Sequence, residues 1–213
     1  MREHASSIAS SSSDSTHDAA ALTDANFLYW IDFGQATPAL NHQVTMGGLG
    51  LGAAVDVSAG DLFAFVATSS PNRVSRLVTP TLANLASSPI LLGTPVAIGG
   101  TEQDLFVVVA ESGANRLDAF FPLSLANVAA TANLTGIPTA MVVRTLGPDE
   151  LVWVATRSPN TVRLFRLTTV GFAPIASVAL GAAEPIGLRV GLAGAGDPDE
   201  GTLSGFVHVR VRQ

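Results

Sequence analysis

The sequence predicts an all-β fold, a small β-propeller in which four-stranded antiparallel sheets, or blades, surround a common axis. Three observations predict it. The 213 residues are 47% hydrophobic and only 13% charged, a repeat recurs about every 43–45 residues, and short apolar segments alternate with turns of Gly, Pro, Asn and Ser. A chain this apolar can bury enough surface to offset its conformational entropy. We therefore expect a globular, strand-rich domain.

The repeat consists of three aligned segments that begin at Leu62, Leu105 and Leu151. Each segment runs through apolar residues to a shared Ala and, five residues later, to a shared Asn. A Gly precedes each unit and leads into another short apolar strand. Repeats of this length with four strands each are typical of propeller blades. The shared positions are Ala67, Ala110 and Ala155, then Asn72, Asn115 and Asn160, and the glycines are Gly50, Gly93, Gly136 and Gly181.

The four strands of a unit differ in pattern. The first follows the Gly, with a Pro near its start in three units, where a missing N–H costs least. The second, at residues 62–67, 105–110 and 151–155, is apolar at consecutive positions, which predicts that both of its faces are buried. After a hairpin turn the third strand alternates apolar and polar residues. We expect the fourth at residues 89–92, 132–135 and 175–180. The most buried residues should lie in the middle strands, including Phe63, Phe65, Val107, Val109, Trp153 and Val154.

The hairpin Val154-Ala-Thr-Arg-Ser-Pro-Asn160-Thr-Val162 and its two relatives resemble the YVTN-type repeat of lactonase-like and surface-layer-type propellers. That motif reads Tyr-Val-Thr-Asn and then Asn-Thr-Val, and the resemblance covers about residues 50–190. It implies a propeller fold. The chain departs from the pattern because Ala replaces the Thr of the motif and because it has fewer repeats than the family's usual seven blades. A lactonase-like hydrolase would need metal-binding side chains on the innermost strands, which here offer only Asp56, Arg144 and Arg189.

Counting the units predicts four blades closed by N- and C-terminal strands. Residues 50–180 supply three blades. Strands near residues 27–33 and 41–46 would join strands at 186–190 and 206–212 in a shared fourth blade. The alternative is an open arc completed by another subunit, because unpaired strand edges tend to acquire partners.

Residues 1–25 differ in composition from the rest, and we expect a polar, Ser/Ala-rich N-terminal arm before a propeller domain at residues 26–213. Seven Ser fall within residues 6–15, and the segment has neither the basic start nor the apolar run of a secretory signal. We expect the arm to contact other chains by adding to a sheet edge, with small apolar anchors. Protein partners in a larger assembly are therefore predicted. The anchors are Ile8, Ala19, Ala20, Ala21 and Leu22.

Charge and cysteine content exclude several classes of function. Eleven basic residues, all Arg, against 17 acidic ones give a net charge of −6, which argues against nucleic acid as a partner. No apolar run approaches the length of a membrane-spanning helix, so membrane insertion is not expected. The absence of Cys excludes disulfides and thiolate chemistry. Localisation is left open, and a virion or a surface assembly is compatible with these properties.

The candidate metal ligands are the three carboxylates of Asp197, Asp199 and Glu200, in a Gly-rich loop at residues 191–201. Their spacing differs from that of the twelve-residue calcium loop, so a solvated loop is the favoured interpretation. No nucleophile motif or paired-His spacing occurs. The sequence therefore predicts no catalytic residue and no cofactor. It favours a non-enzymatic structural or interaction propeller within a virion or surface lattice, and the alternative is a lactonase-like hydrolase or small-ligand-binding propeller.

Overall fold

The computed structural model describes residues 5–10, 18–23, 27–32, 39–45, 53–59, 63–78, 81–101, 105–126, 128–146, 148–192 and 205–212. The regular secondary structure in these residues consists of eighteen strands. This confirms the predicted all-β class. In the same residues there is no helix with the length and apolar character needed to cross a membrane.

The strands form five antiparallel sheets in chain order. The first sheet contains β1 (Ala5–Ser10), β2 (Asp18–Thr23), β3 (Phe27–Asp32) and β4 (Ala39–Thr45). The second contains β5 (Ala53–Ala59), β6 (Phe63–Ser69), β7 (Arg73–Val78) and β8 (Ala83–Ser87). The third contains β9 (Thr94–Gly100), β10 (Val107–Ser112), β11 (Arg116–Phe120) and β12 (Val128–Asn133). The fourth contains β13 (Ile137–Leu146), β14 (Asp149–Arg157), β15 (Thr161–Thr168) and β16 (Gly171–Ala179), and the fifth contains β17 (Glu184–Leu192) and β18 (Gly205–Arg212).

Each sheet packs against the next through its first strand. Thus β1 contacts β5, β5 contacts β9, β9 contacts β13, and β13 contacts β17. Within each sheet, neighbouring strands are also consecutive in sequence. The first strands therefore lie together on the inside and the later strands lie progressively farther out. This is the arrangement of a β-propeller.

Two apolar clusters fill the spaces between the central sheets. Phe65 of the second sheet packs with Val107 and Val109 of the third. On its other face, the third sheet shares a second core with the fourth, and this core includes Val108 and Val154. Successive residues of β10 thus enter different cores, which explains why the second strands are apolar at consecutive positions. Of the residues predicted to be most buried, Phe65, Val107, Val109, Trp153 and Val154 are buried, whereas Phe63 is only partly buried.

The predicted blade shared by the two chain ends is not observed. β3 pairs with β2 and β4, and β17 pairs with β18. Among the described residues, the first and fifth sheets share no contact comparable with those between successive sheets. The described residues instead form four sheets of four strands and one sheet of two strands, and closure of the blades into a ring stays a prediction. The physical reason for the pairing of β3 is that β1 and β2 supply it with partners close in sequence, which cost less loop entropy than partners from the C-terminal region.

The predicted N-terminal arm, residues 1–25, contains two of the described strands. Its described parts are β1 and β2, which belong to the same sheet as β3. Ile8 lies opposite Ala21, and Ala20 lies opposite Trp30. Ser and Ala can form such a sheet because strand pairing uses backbone N–H and C=O groups, which they carry like any other residue. The described residues of this segment therefore lie in the first sheet.

The fourth strands overlap the predicted ranges in the third and fourth sheets but not in the second. In the second sheet the strand is Ala83–Ser87, and the apolar residues at 90–92 belong to the connection to the next sheet. Leu91 is buried there, and its N–H donates to the carbonyl oxygen of Asn72 at 2.9 Å. The apolar residues of this buried connection therefore have the sequence pattern of a strand. In the third and fourth sheets the strands are Val128–Asn133 and Gly171–Ala179.

Candidate functional site

An apolar groove of about 240 Å³ lies between the fourth and fifth sheets. On the fourth sheet, cross-strand register places Trp153 beside Leu164, and Leu164 beside Ala176. On the fifth sheet the groove is bounded by alternate residues of β18. Its lining residues are Trp153, Val162, Leu164, Ala176, Ser177, Val178, Leu180, Val207 and Val209.

The groove exists because the fifth sheet covers only part of the fourth. β17 packs against β13 and β14, and no strand pairs with the outer edge of β18 among the described residues. The outer strand β16 is consequently exposed along most of its length, with Val178 60% exposed and Ile175 48% exposed. Between the third and fourth sheets the corresponding region is covered, since β12 contacts β16. In a four-stranded fifth sheet, the third and fourth strands would occupy this groove.

The fifth sheet has one apolar face and one basic face. In β18, Val207 and Val209 alternate with His208, Arg210 and Arg212. The register also places Arg189 opposite His208. All four basic residues are exposed. The same register places Glu184 opposite Arg212, so this face of the sheet carries three arginines and one carboxylate. It is locally basic in a protein whose net charge is −6.

A second feature is a buried ionisable cluster at the β10–β11 hairpin. The side chains of Glu111 and Asp118 are both 0% exposed. Glu111 Oε2 accepts a hydrogen bond from the N–H of Gly93 at 2.7 Å, and its Oε1 lies 3.6 Å from Arg116 Nε. Arg116 also donates to Asp118, which accepts a second bond from Thr131 Oγ1 at 2.8 Å. The cluster links three strands of the third sheet to the connection that precedes them.

Burial raises the pKa of Glu111 to about 7, and a hydrogen bond with Asp118 contributes in the same direction. The Gly93 N–H and the Arg116 charge oppose this shift because they favour the carboxylate. Glu111 therefore titrates near neutral pH. Its contacts are with backbone and with its own cluster, which gives it a structural role at the start of the third blade.

The same position carries Thr in the neighbouring repeats. Thr68 donates to the carbonyl oxygen of Pro71 at 3.1 Å, and Thr156 donates to that of Pro159 at 3.1 Å. The residue after the shared Ala is thus Thr, Glu and Thr in successive units. Sequence analysis did not identify Glu111, although this interruption of the repeat was a visible signal.

The residues selected from the sequence do not converge on one site. Asp197, Asp199 and Glu200 lie outside the described residues. Ile8 and the run Ala19, Ala20, Ala21 and Leu22 lie in the first sheet, whereas the groove lies between the last two sheets. In the part of the chain that the structure describes, no three His, Asp or Glu side chains are placed to share a metal ion. The groove itself was missed, because it depends on which strands are present in the fifth sheet.

Comparison with known proteins identifies the fold. The sequence matches no family model and no curated protein. Solved structures do match: a chain of the crystal structure of BBS1N in complex with ARL6DN has a TM-score of 0.68 and 13% identity, covering 89% of this chain and 58% of that one. A chain of the Mitotic Checkpoint Complex has a TM-score of 0.64 and 5% identity, covering 84% and 53%. The structure of U3-55K has a TM-score of 0.66 and 13% identity, covering 86% and 56%.

These neighbours are β-propellers of the WD40-like type. The fold of this chain is a β-propeller. The chain spans little more than half the length of the solved chains it matches. At such low identity the likeness concerns the fold alone, and the finer resemblance to YVTN-type repeats stays a prediction.

Proposed function

We propose that this protein is a non-enzymatic interaction propeller that binds protein partners as a subunit of a larger assembly. The observation that carries the proposal is the half-covered fourth sheet, whose Trp153, Leu164 and Val178 line an apolar groove. An exposed apolar surface beside an open sheet edge is typical of a protein-binding site. Two of the matched solved structures are themselves complexes of proteins, which supports a role of this class.

The first and fifth sheets differ in their surfaces, which favours assembly through unlike contacts. The first sheet has four strands, whereas the fifth has two described strands and a basic face. A contact between unlike surfaces is heterologous, and it forms rings when the rotation closes and filaments or lattices when it does not. A virion or a surface lattice is the kind of repeated assembly that we propose.

The non-enzymatic part of the proposal is supported by the structural role of the most perturbed carboxyl group. Glu111 is fully buried and bonded to the backbone of Gly93. Asp118 is buried and bonded to Arg116 and Thr131. Groups engaged in this way hold a hairpin and a blade connection together. Lactone hydrolysis by the purified protein that disappeared in Glu111→Gln would contradict this part of the proposal.

Site-specific photo-crosslinking in cells of the source organism tests the interaction role. A photoreactive residue replaces Val178, which is 60% exposed at the groove, and in a matched variant it replaces Val170, which is 95% exposed in the β15–β16 turn. We expect discrete protein adducts from position 178 and few or none from position 170. Equal labelling at both positions, or no protein adduct at position 178, would contradict the proposal.

A further inference from the structure

We propose that the groove receives an extended partner segment with alternating apolar and acidic residues, which adds to the outer edge of β18 as a third strand. This inference rests on the proposed function and specifies the chemistry of the partner. The complete sheets show the geometry: β7, β11 and β15 are third strands, and each pairs antiparallel with the second strand of its sheet. β18 is the second strand of its sheet, and an added strand would occupy the equivalent position.

The interface between the third and fourth sheets shows how an added strand would pack. There the third-strand residues Leu117 and Ala119 belong to the core that also contains Val154 and Phe165 of the fourth sheet. A strand beside β18 would continue the apolar face of Val207 and Val209 across the fourth sheet, over Leu164 and Val178. Because side chains alternate between the two faces of a strand, every second residue of the guest should be apolar.

The other face of the guest strand would lie beside the basic face of the fifth sheet. Arg210 and Arg212 are exposed there at alternate positions of β18. Opposite charges on neighbouring strands stabilise a sheet, whereas like charges destabilise it. The remaining residues of the guest should therefore be Asp or Glu. The whole protein carries a net charge of −6. The basic face of the fifth sheet is therefore a place where an acidic segment would be attracted to an otherwise acidic protein.

Labelled synthetic peptides test the inference on the full chain by fluorescence anisotropy. The probe is an eight-residue peptide of alternating Glu and Val, and the controls are the same composition in two blocks and an alternating Lys and Val peptide. We expect the probe to bind at least about tenfold more tightly than either control, with weaker binding at high salt because exposed charge pairs are screened. Hydrogen-exchange mass spectrometry should show new protection in β18 when the probe binds.

Variants identify the surface. Val178→Asp should weaken binding of the probe at least about tenfold, because it places a charge in the apolar groove, while Val170→Asp should leave it unchanged. Both positions are exposed, so neither substitution should unfold the protein. The double variant Arg210→Glu and Arg212→Glu should reverse the preference, so that the Lys and Val peptide binds more tightly than the probe.

Several results would overturn the inference. One is binding of the probe without protection of β18, and another is binding of the probe that Val178→Asp does not weaken. A third is self-association in light scattering that Val178→Asp abolishes, because a second copy would then occupy the groove. If position 178 crosslinks a partner but no peptide binds, strand addition is wrong and the proposed function stands. If the probe binds as expected but no protein is captured in cells, the proposed function fails instead.

Discussion

Leu134 donates its backbone N–H to the carbonyl oxygen of Asn115 at 2.7 Å, and this bond ties the hairpin turn of the third blade to the connection leading into the fourth. The same bond recurs in both neighbouring repeats, each time from a Leu to the shared Asn. The bond lies at an equivalent point of each unit, but any residue could supply this carbonyl, so the bond itself does not require Asn. The other two bonds join Leu91 to Asn72 and Leu180 to Asn160, both at 2.9 Å.

Substitutions of Asn115 should separate backbone conformation from side-chain bonding. Asn115 has a φ of 51°, and its buried side-chain oxygen has no hydrogen-bond partner. Asn115→Gly should change the free energy of unfolding by less than about 1 kcal/mol, because Gly adopts positive φ readily. Asn115→Val should cost about 1–2 kcal/mol, because a β-branched residue is strained there. Urea denaturation measures both, and equal effects would show that φ does not matter.

Gly93→Ala should destabilise the protein through a steric clash at the start of the third blade. A Cβ at Gly93 would contact the carbonyl oxygen of Ser112 and lie 2.9 Å from the backbone nitrogen of Ala114. Forced overpacking of this kind costs about 1–3 kcal/mol. Gly187→Ala is the control, since its Cβ would meet only ordinary contacts beginning at 3.5 Å. Similar melting temperatures for the two variants would contradict the packing described here.

Stability should depend on pH through Glu111. Burial raises the pKa of Glu111 to about 7 in the folded state, whereas a Glu in an unfolded chain has a pKa of about 4.3. The folded state therefore holds this proton more tightly. The stabilisation is complete below about pH 4 and is lost as the pH rises to about 7. Glu111→Gln should reduce the fall in melting temperature between pH 5 and pH 8, and an unchanged fall in this variant would contradict the prediction.

Two adjacent phenylalanines should differ in their contribution to stability. Phe120 is 0% exposed in the core between the second and third sheets, while Phe121 is 48% exposed. Phe120→Ala should cost about 3–5 kcal/mol of unfolding free energy because it leaves a cavity. Phe121→Ala should cost less than about 1 kcal/mol. Chemical denaturation distinguishes the two, and a reversed order would show that β11 has a different register.

Deletion of residues 1–25 should damage the propeller. β1 and β2 form half of the first sheet, and both contact β5 of the second. Without them, the edge of β3 and the inner side of β5 lose their neighbours, so we expect aggregation and a lower melting temperature. A deletion of residues 1–4 serves as the control, because it leaves β1 and β2 intact. A soluble 26–213 protein with an unchanged melting temperature would support the interpretation of residues 1–25 as an arm.

The repeat predicted the second strands closely. Residues 105–110 were expected in a strand that the structure places at Val107–Ser112, because consecutive apolar residues have no favourable place except between two packed sheets. The fourth strands were harder to locate. Ala83–Ser87 lies at the outer rim and is half polar, so its pattern resembles that of a loop.

The candidate site could not be derived from the repeat. The residues of the groove, such as Leu164 and Val178, carry the same signals as residues covered in other blades. Whether they are covered depends on the number of strands beside β18, which no local pattern encodes. Glu111 could have been predicted more easily, because it replaces the Thr found at positions 68 and 156 of the neighbouring repeats. A carboxyl group buried at this position requires a partner.

The chain-order pairing of strands affects how the molecule folds. Each strand pairs with the strand before or after it in sequence, and each sheet contacts the sheets on either side. The relative contact order is therefore lower than in β-sandwiches, whose partner strands are far apart in sequence, which favours faster folding. Stability should approximate a sum of nearest-neighbour terms, as in linear repeat proteins. The third blade, with a covered face on each side, should open last, and the half-sheet of β17 and β18 should fray first.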